Sequence, residues 1–368
     1  MTPLQVCGKS LRIRSTGVQR LAMLPARRLM PILRLAGKAS IHRRPVNSEL
    51  DLTTSTGARM LRIIRRQSDT EVLVRDPAKN TYNAPEQAAK YATLHWEYAA
   101  MSSAAYGKAR LKAGQVADAQ PEVQSTTGPR LPGWMRWLDF PSDELLKKLG
   151  SSGLYVDVWE REAQPREIAV VFEGTNFTSL PDWGANLRWF LRFLPSFEDQ
   201  YTIAADEVAR EFYERLSTRP ERYVIRIGSA ELLSGDGAPI KLVSTGHSLG
   251  GGLAQHFAYA FQQPYASGGP KISEVFAFDA SPVTGWSVVP RGIRSYNAHN
   301  LRINRVFEHG EVLAYLRLIT SRLSRYTEHP SVWEYRYNFD RSWNLIKNHS
   351  IGMLADGLAR AAEASDTK

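Results

Sequence analysis

The chain of 368 residues carries 47 Lys and Arg against 37 Asp and Glu, a formal charge of +10, with 43% hydrophobic and 23% charged residues. That composition excludes disorder throughout and allows a sizeable buried core. The one cysteine, Cys7, excludes intrachain disulfides and cysteine-rich zinc sites.

The charge excess is concentrated at the start. Residues 1–48 hold ten basic residues and no acid before Glu49, which leaves 37 basic and 37 acidic residues in the other 320. A footprint for nucleic acid belongs on a folded surface, so no nucleic-acid partner is expected. The stretch from Leu21 to Leu35 is apolar but broken by Arg27, Arg28, Arg34 and two prolines, which makes a poor secretory signal. Residues 1–60 therefore read as a disordered basic leader: a targeting peptide, a membrane-surface segment, or a translation start placed ahead of Met23, Met30 or Met60. Residues 61–368 read as a single domain. No apolar run approaches the ~18 residues that span a bilayer. The expected product is soluble, either cytoplasmic or peripheral to a membrane.

Beyond the leader, the spacing from Asn83 predicts a helix with Ala88, Tyr91, Ala92, His95, Tyr98 and Ala99 on one side. Residues 113–133 are polar and rich in Gly, Pro and Ser/Thr, and read as a loop. Leu154–Trp159 and Ile168–Phe172 are predicted strands, joined as a hairpin around Arg161–Arg166. The second strand runs into Val170-Val171-Phe172-Glu173-Gly174-Thr175. A dense apolar stretch follows, including Trp183, Leu187, Trp189, Phe190, Phe193 and Phe197, interrupted by Asp182, Arg188 and Arg192. It is either an amphipathic surface piece or a buried core helix. Ala205–Leu216 is a predicted helix facing inward through Val208, Phe212 and Leu216. Ile240–Thr245, Val275–Phe278, Leu301–Phe307 and Val332–Phe339 are further predicted strands, with an apolar helix, LGGGLAQHFAYAFQQ, after the first. Ile351–Ala362 closes the pattern as a helix with Ile351, Leu354 and Leu358 in register. Alternation of strands and helices predicts an α/β fold, a mostly parallel central sheet flanked by helices.

Within that frame Gly246-His247-Ser248-Leu249-Gly250 satisfies G-x-S-x-G between an apolar strand and a helix. A serine on such a tight turn projects its hydroxyl from the sheet edge, and flanking glycines let the backbone pass. The helix that follows aims free N–H groups and its positive end at a developing oxyanion. A serine nucleophile needs a base and a carboxylate to orient it, in the chain order Ser, acid, His. His349 and His329 are the candidate bases, and Glu311, Asp279 and Glu308 the candidate acids. No P-loop, dinucleotide fingerprint or H-E-x-x-H occurs, so neither a cofactor nor a metal is expected.

These motifs together resemble the class 3 (fungal-type) lipases of the α/β-hydrolase superfamily, over roughly Asn83–Arg360. The run ending at Thr175 is similar to that family's F-R-G-T/S, with Glu173 in place of the arginine. The resemblance implies an α/β-hydrolase fold and an oxyanion hole from Thr175 and the N–H of Leu249. It also implies a lid containing Asp182, Trp183, Leu187, Trp189 and Phe190. It places the catalytic histidine at His349. Counting from Arg305 through Val306, Phe307 and Glu308 puts Glu311 at the acid position, with Asp279 as the alternative one strand earlier. The activity implied is carboxylic-ester hydrolysis, as a lipase or phospholipase acting on an ester lipid with transient membrane contact. Two alternatives remain: a lipid-surface binder of the same fold with little turnover, and a thioesterase or acyltransferase using the same triad.

Overall fold

Continuous apolar strands form where a sheet is covered on both faces, and several of the central strands here read that way. The computed structural model describes residues 68–79, 81–108, 131–152, 154–161, 166–174, 201–226, 231–261, 269–314, 329–340, 344–345 and 347–366. All lie in the compact unit Arg62–Lys368. In chain order the first elements are β1 (Glu71–Arg75), β2 (Glu86–Gln87), α1 (Ala89–Lys108), β3 (Trp134–Arg136), α2 (Asp143–Ser152), β4 (Val156–Arg161) and β5 (Arg166–Phe172). After a π-helical turn, Ala204–Val208, come α3 (Ala209–Ser217), β6 (Tyr223–Arg226), β7 (Glu231–Ser234), β8 (Ile240–His247) and α4 (Leu249–Ala260). The last are β9 (Glu274–Phe278), α5 (Arg291–Ala298), β10 (Arg302–Glu308), β11 (Ser331–Tyr337) and α6 (Ile351–Asp366).

Among the described residues, nine strands form one sheet in the order β2-β1-β11-β10-β9-β8-β5-β4-β3. The five central strands, from β11 to β5, are parallel. Both flanks are antiparallel, so the sheet is mixed, with a parallel centre. β6 and β7 form a separate hairpin.

Alternation along the strands divides the core in two. On one face Val158, Ile168, Val170, Leu242, Val275 and Ile303 pack with Leu145 and Leu149 of α2, Phe212 and Leu216 of α3, and Leu253 and Phe257 of α4. On the other, Ala169, Val171, Val243, Phe276, Val306 and Tyr335 meet Ala92, Tyr98, Ala99 and Met101 of α1, and Leu354 and Leu358 of α6. The inward faces read from spacing in α1, α3 and α6 are the faces that are buried.

Some boundaries differ from the sequence reading. The first helix starts at Ala89, because Glu86 and Gln87 pair with β1. The polar stretch ends in β3, which pairs with β4 at the sheet edge, and residues 109–130 lie outside the described set. Residues 1–60 lie outside it as well.

The two ends of the parallel centre are chemically distinct. At the N-terminal ends, Lys241 bridges Glu167 and Glu274, and Arg302 also reaches Glu274, so that edge is closed by ion pairs. The C-terminal ends carry Gly174, His247, Asp279 and Glu308, and ligands of open α/β sheets bind on that side. No described helix is long and apolar enough to cross a membrane.

Candidate active site

The turn between β8 and α4 holds Ser248 at φ 55°, ψ −120°, a conformation sparsely populated by any residue with a Cβ. It persists because the surroundings fix it. The Ser248 N–H donates to the Phe278 carbonyl at 2.9 Å, and the Ser281 N–H donates to the Ser248 carbonyl at 2.9 Å. The glycines two residues away on each side have a steric cause. A Cβ on Gly246 would collide with the Gly250 carbonyl, and one on Gly250 with the Phe172 carbonyl. The G-x-S-x-G spacing thus records where β8, α4 and the end of β5 cross at backbone contact distance. Leu249 opens α4, so its N–H has no acceptor within that helix.

His349 closes a short 3₁₀ turn, Lys347–His349, immediately before α6. Its Nε2 lies 3.0 Å from Ser248 Oγ and its Nδ1 lies 2.9 Å from Glu311 Oε2. A carboxylate only accepts, so Nδ1 carries the proton and Nε2 accepts from the serine hydroxyl. Glu311 Oε2 also accepts the Leu313 N–H at 2.7 Å, which fixes the carboxylate from its own loop. All three side chains are buried.

The other candidates make different hydrogen bonds and contacts. Asp279 ends β9 with φ 40°, and its Oδ1 accepts the Glu308 N–H at 2.9 Å, tying the tips of β9 and β10. Glu308 Oε1 accepts the Asp340 N–H at 3.1 Å. Burial pushes the Glu308 carboxyl up to about 8, against the Asp340 N–H and with help from Asp279, so near neutral pH it is mostly uncharged. His329 precedes the N-terminal end of β11 and packs against His299 at 4.6 Å between ring centres. With β8 to β11 parallel, that puts it a strand length, roughly 20 Å, from Ser248. His256 faces Tyr201, and burial lowers it to about 4. Burial, with Asp157 adding to it, pushes Glu173 up to about 7.

Thr175 and the expected lid residues Asp182, Trp183, Leu187, Trp189 and Phe190 lie outside the described residues. Conversely, the structure brings in two side chains the sequence reading had passed over. Tyr106 Oη lies 2.8 Å from His247 Nδ1, and His247 Nε2 lies 3.0 Å from the His349 carbonyl oxygen.

His247, Asp279 and His349 offer ligand atoms within 4.8 Å of one another, the one such group among the described residues. The hydrogen bonds of these side chains weigh against a metal here. Both ring nitrogens of each histidine are engaged by protein atoms, and a metal would have to displace Ser248 or Tyr106 to reach a lone pair.

As an arrangement of groups, the site contains a hydroxyl on a fixed turn, a neutral imidazole set to take its proton, and a carboxylate to hold the resulting imidazolium. Geometry of this kind suits acyl transfer through a covalent serine intermediate. No protein-family model matches the chain, and no curated protein matches it.

Proposed function

We propose that this chain is a serine carboxylic-ester hydrolase of the α/β-hydrolase fold, with Ser248 as nucleophile, His349 as base and Glu311 as the orienting acid. The observation that carries the reading is the continuous hydrogen-bonded series Ser248 Oγ, His349 Nε2, His349 Nδ1 and Glu311 Oε2, begun on a strained strand-to-helix turn. The parallel order of β8, β9 and β10, with the nucleophile after the first and the acid after the last, adds support from the fold.

Chemically, Ser248 Oγ attacks the ester carbonyl carbon while His349 Nε2 takes the hydroxyl proton. Negative charge collects on the carbonyl oxygen, where the Leu249 N–H and the positive end of α4 stabilise it; Thr175 is the proposed second donor. The carbon–oxygen bond to the alcohol breaks, and the alcohol leaves with the proton from His349. Water then gives a proton to His349 and attacks the acyl-serine, releasing the acid and restoring Ser248.

The proposed substrate class is a lipid acyl ester, with a lipase or phospholipase activity akin to the class 3 lipases. Support for the lipid part comes from the aromatic and apolar run Trp183–Phe197, which follows the oxyanion strand in the chain. A fluorophosphonate probe and a panel of p-nitrophenyl esters and phospholipids test the reading, with Ser248→Ala as control. Labelling and turnover that vanish in Ser248→Ala are the expected result. Undiminished labelling of that variant overturns the proposal.

A further inference from the structure

We infer that Tyr106 and His247 form a positioning relay that sets the main chain of His349 against Ser248, an inference that rests on the serine-hydrolase reading above. Four observations carry it.

The first is directional. His247 Nε2 faces the His349 carbonyl oxygen at 3.0 Å, and a carbonyl only accepts, so Nε2 carries the hydrogen. His247 Nδ1 then has a lone pair, which accepts the Tyr106 hydroxyl hydrogen at 2.8 Å. The Tyr106 hydroxyl also lies against the Gly174 backbone. Every donor in the series Tyr106, His247, His349 has an acceptor, and the series has only one consistent direction. A charged His247 would put a hydrogen on Nδ1 and leave the Tyr106 hydroxyl hydrogen without that acceptor.

The second is placement. Gly174 follows the end of β5 just before Thr175, His247 precedes the nucleophile, and His349 bears the base. The relay therefore ties together the three backbone segments whose relative positions decide attack distance and proton transfer. A displacement of about 1 Å in such a site costs on the order of 100-fold in rate.

The third is steric. A Cβ on Gly174 would collide with both the Tyr106 hydroxyl and the His247 carbonyl, so the segment is fitted to these two groups. The fourth is packing. The His247 ring lies 4.8 Å from that of His349 and 5.6 Å from that of Tyr106, and it is buried. His247 is thus a wedge between the helix that supplies Tyr106 and the turn that supplies the base. Its bond to the His349 carbonyl is the contact through which it sets the base against Ser248.

The test uses the full chain and the variants Tyr106→Phe, His247→Gln and His247→Phe, with Ser248→Ala as control. Readouts are the rate of fluorophosphonate labelling, kcat and KM on a p-nitrophenyl ester, and the thermal midpoint. Glutamine can place an N–H near the position of Nε2, whereas phenylalanine keeps the ring and removes the donor. Tyr106→Phe and His247→Phe should label and turn over about 10- to 100-fold more slowly with KM within twofold of the parent. His247→Gln should recover at least half of that loss on a logarithmic scale. Parent-like kcat in both Tyr106→Phe and His247→Phe overturns the relay while leaving Ser248-dependent chemistry in place. So does an equal loss in His247→Gln and His247→Phe. If the parent chain is not labelled at Ser248, the hydrolase reading fails first and the relay falls with it. Should His247→Phe fail to fold, Tyr106→Phe decides alone: a slowed kcat supports the relay and a parent-like kcat overturns it.

Discussion

Glu308→Gln isolates an electrostatic cost built into the strand tips behind the candidate triad. Glu308 is buried at the end of β10, and burial moves its carboxyl from 4.5 to about 8. The Asp340 N–H opposes that shift and Asp279 adds to it. Below pH 4.5 the carboxyl is protonated in folded and unfolded chains alike, and the penalty is absent. Between 4.5 and 8 the unfolded chain releases the proton while the folded one keeps it, so stability falls as pH rises. At ~1.4 kcal/mol for each pH unit the full interval amounts to a ceiling of about 5 kcal/mol. Relaxation of the site reduces the measurable part to roughly 2–4 kcal/mol. Glutamine keeps the shape of the protonated acid, keeps an acceptor for the Asp340 N–H, and does not titrate. Urea unfolding of both proteins at pH 5, 6.5 and 8.5 should show their stability difference moving in favour of Glu308→Gln as pH rises, levelling off above about 8. Glu173 also titrates upward, near 7, but it is common to both proteins and cancels in the difference. A difference that stays constant across that range refutes the reasoning.

Two further outcomes are expected. Glu311→Gln, which spoils the acceptor for His349 Nδ1, should lower kcat by about 10³- to 10⁴-fold with little change in KM, and Asp279→Asn by far less. Esterase kinetics of the pair check this, and the reverse ranking would assign the acid to Asp279. Ser248→Gly should unfold at higher urea than Ser248→Ala by about 1 kcal/mol, since glycine accepts φ 55° and alanine keeps the strain; equal midpoints would remove strain from the account of the turn.

What could be read from the sequence divides along physical lines. The G-x-S-x-G turn around Ser248 was legible because its requirements are local: an apolar strand, glycines two residues away on each side, and an apolar helix all lie between Ile240 and Ala260. The core faces of α1, α3 and α6 were legible because helical spacing maps directly onto burial. The edge strands β2 and β3 were missed since they have only two and three residues, too few to show an alternation. α5 was missed because only Asn297 and Ala298 of it are buried, too few to leave a period. The resemblance put Glu311 ahead of Asp279 and Glu308, but the residue pattern alone left all three open. All three sit within a few residues of adjacent strand ends, and only side-chain direction separates an oxygen that faces His349 from one that faces the Asp340 or Glu308 backbone. Tyr106 and His247 are 141 residues apart, and no local pattern announces their contact.

The same geometry explains why so many polar groups crowd one edge of the sheet. A serine held at positive φ raises the energy of its own turn by roughly 1–3 kcal/mol, and that turn would relax if its neighbours allowed it. Here the neighbours are the tips of β5 and β9, fixed to the elbow by backbone hydrogen bonds or by backbone contact at Gly246 and Gly250, and the turn before α6, held through the His247 and His349 side chains. Asp279 serves that purpose by joining β9 to β10, its Oδ1 accepting the Glu308 N–H. Glu308, uncharged near neutral pH, fastens the chain after β11 to the same tip through Asp340 without adding a second anion beside Glu311. Asp279 and Glu308 thus hold the frame that keeps the strained serine in place, while Glu311 Oε2 faces His349 Nδ1.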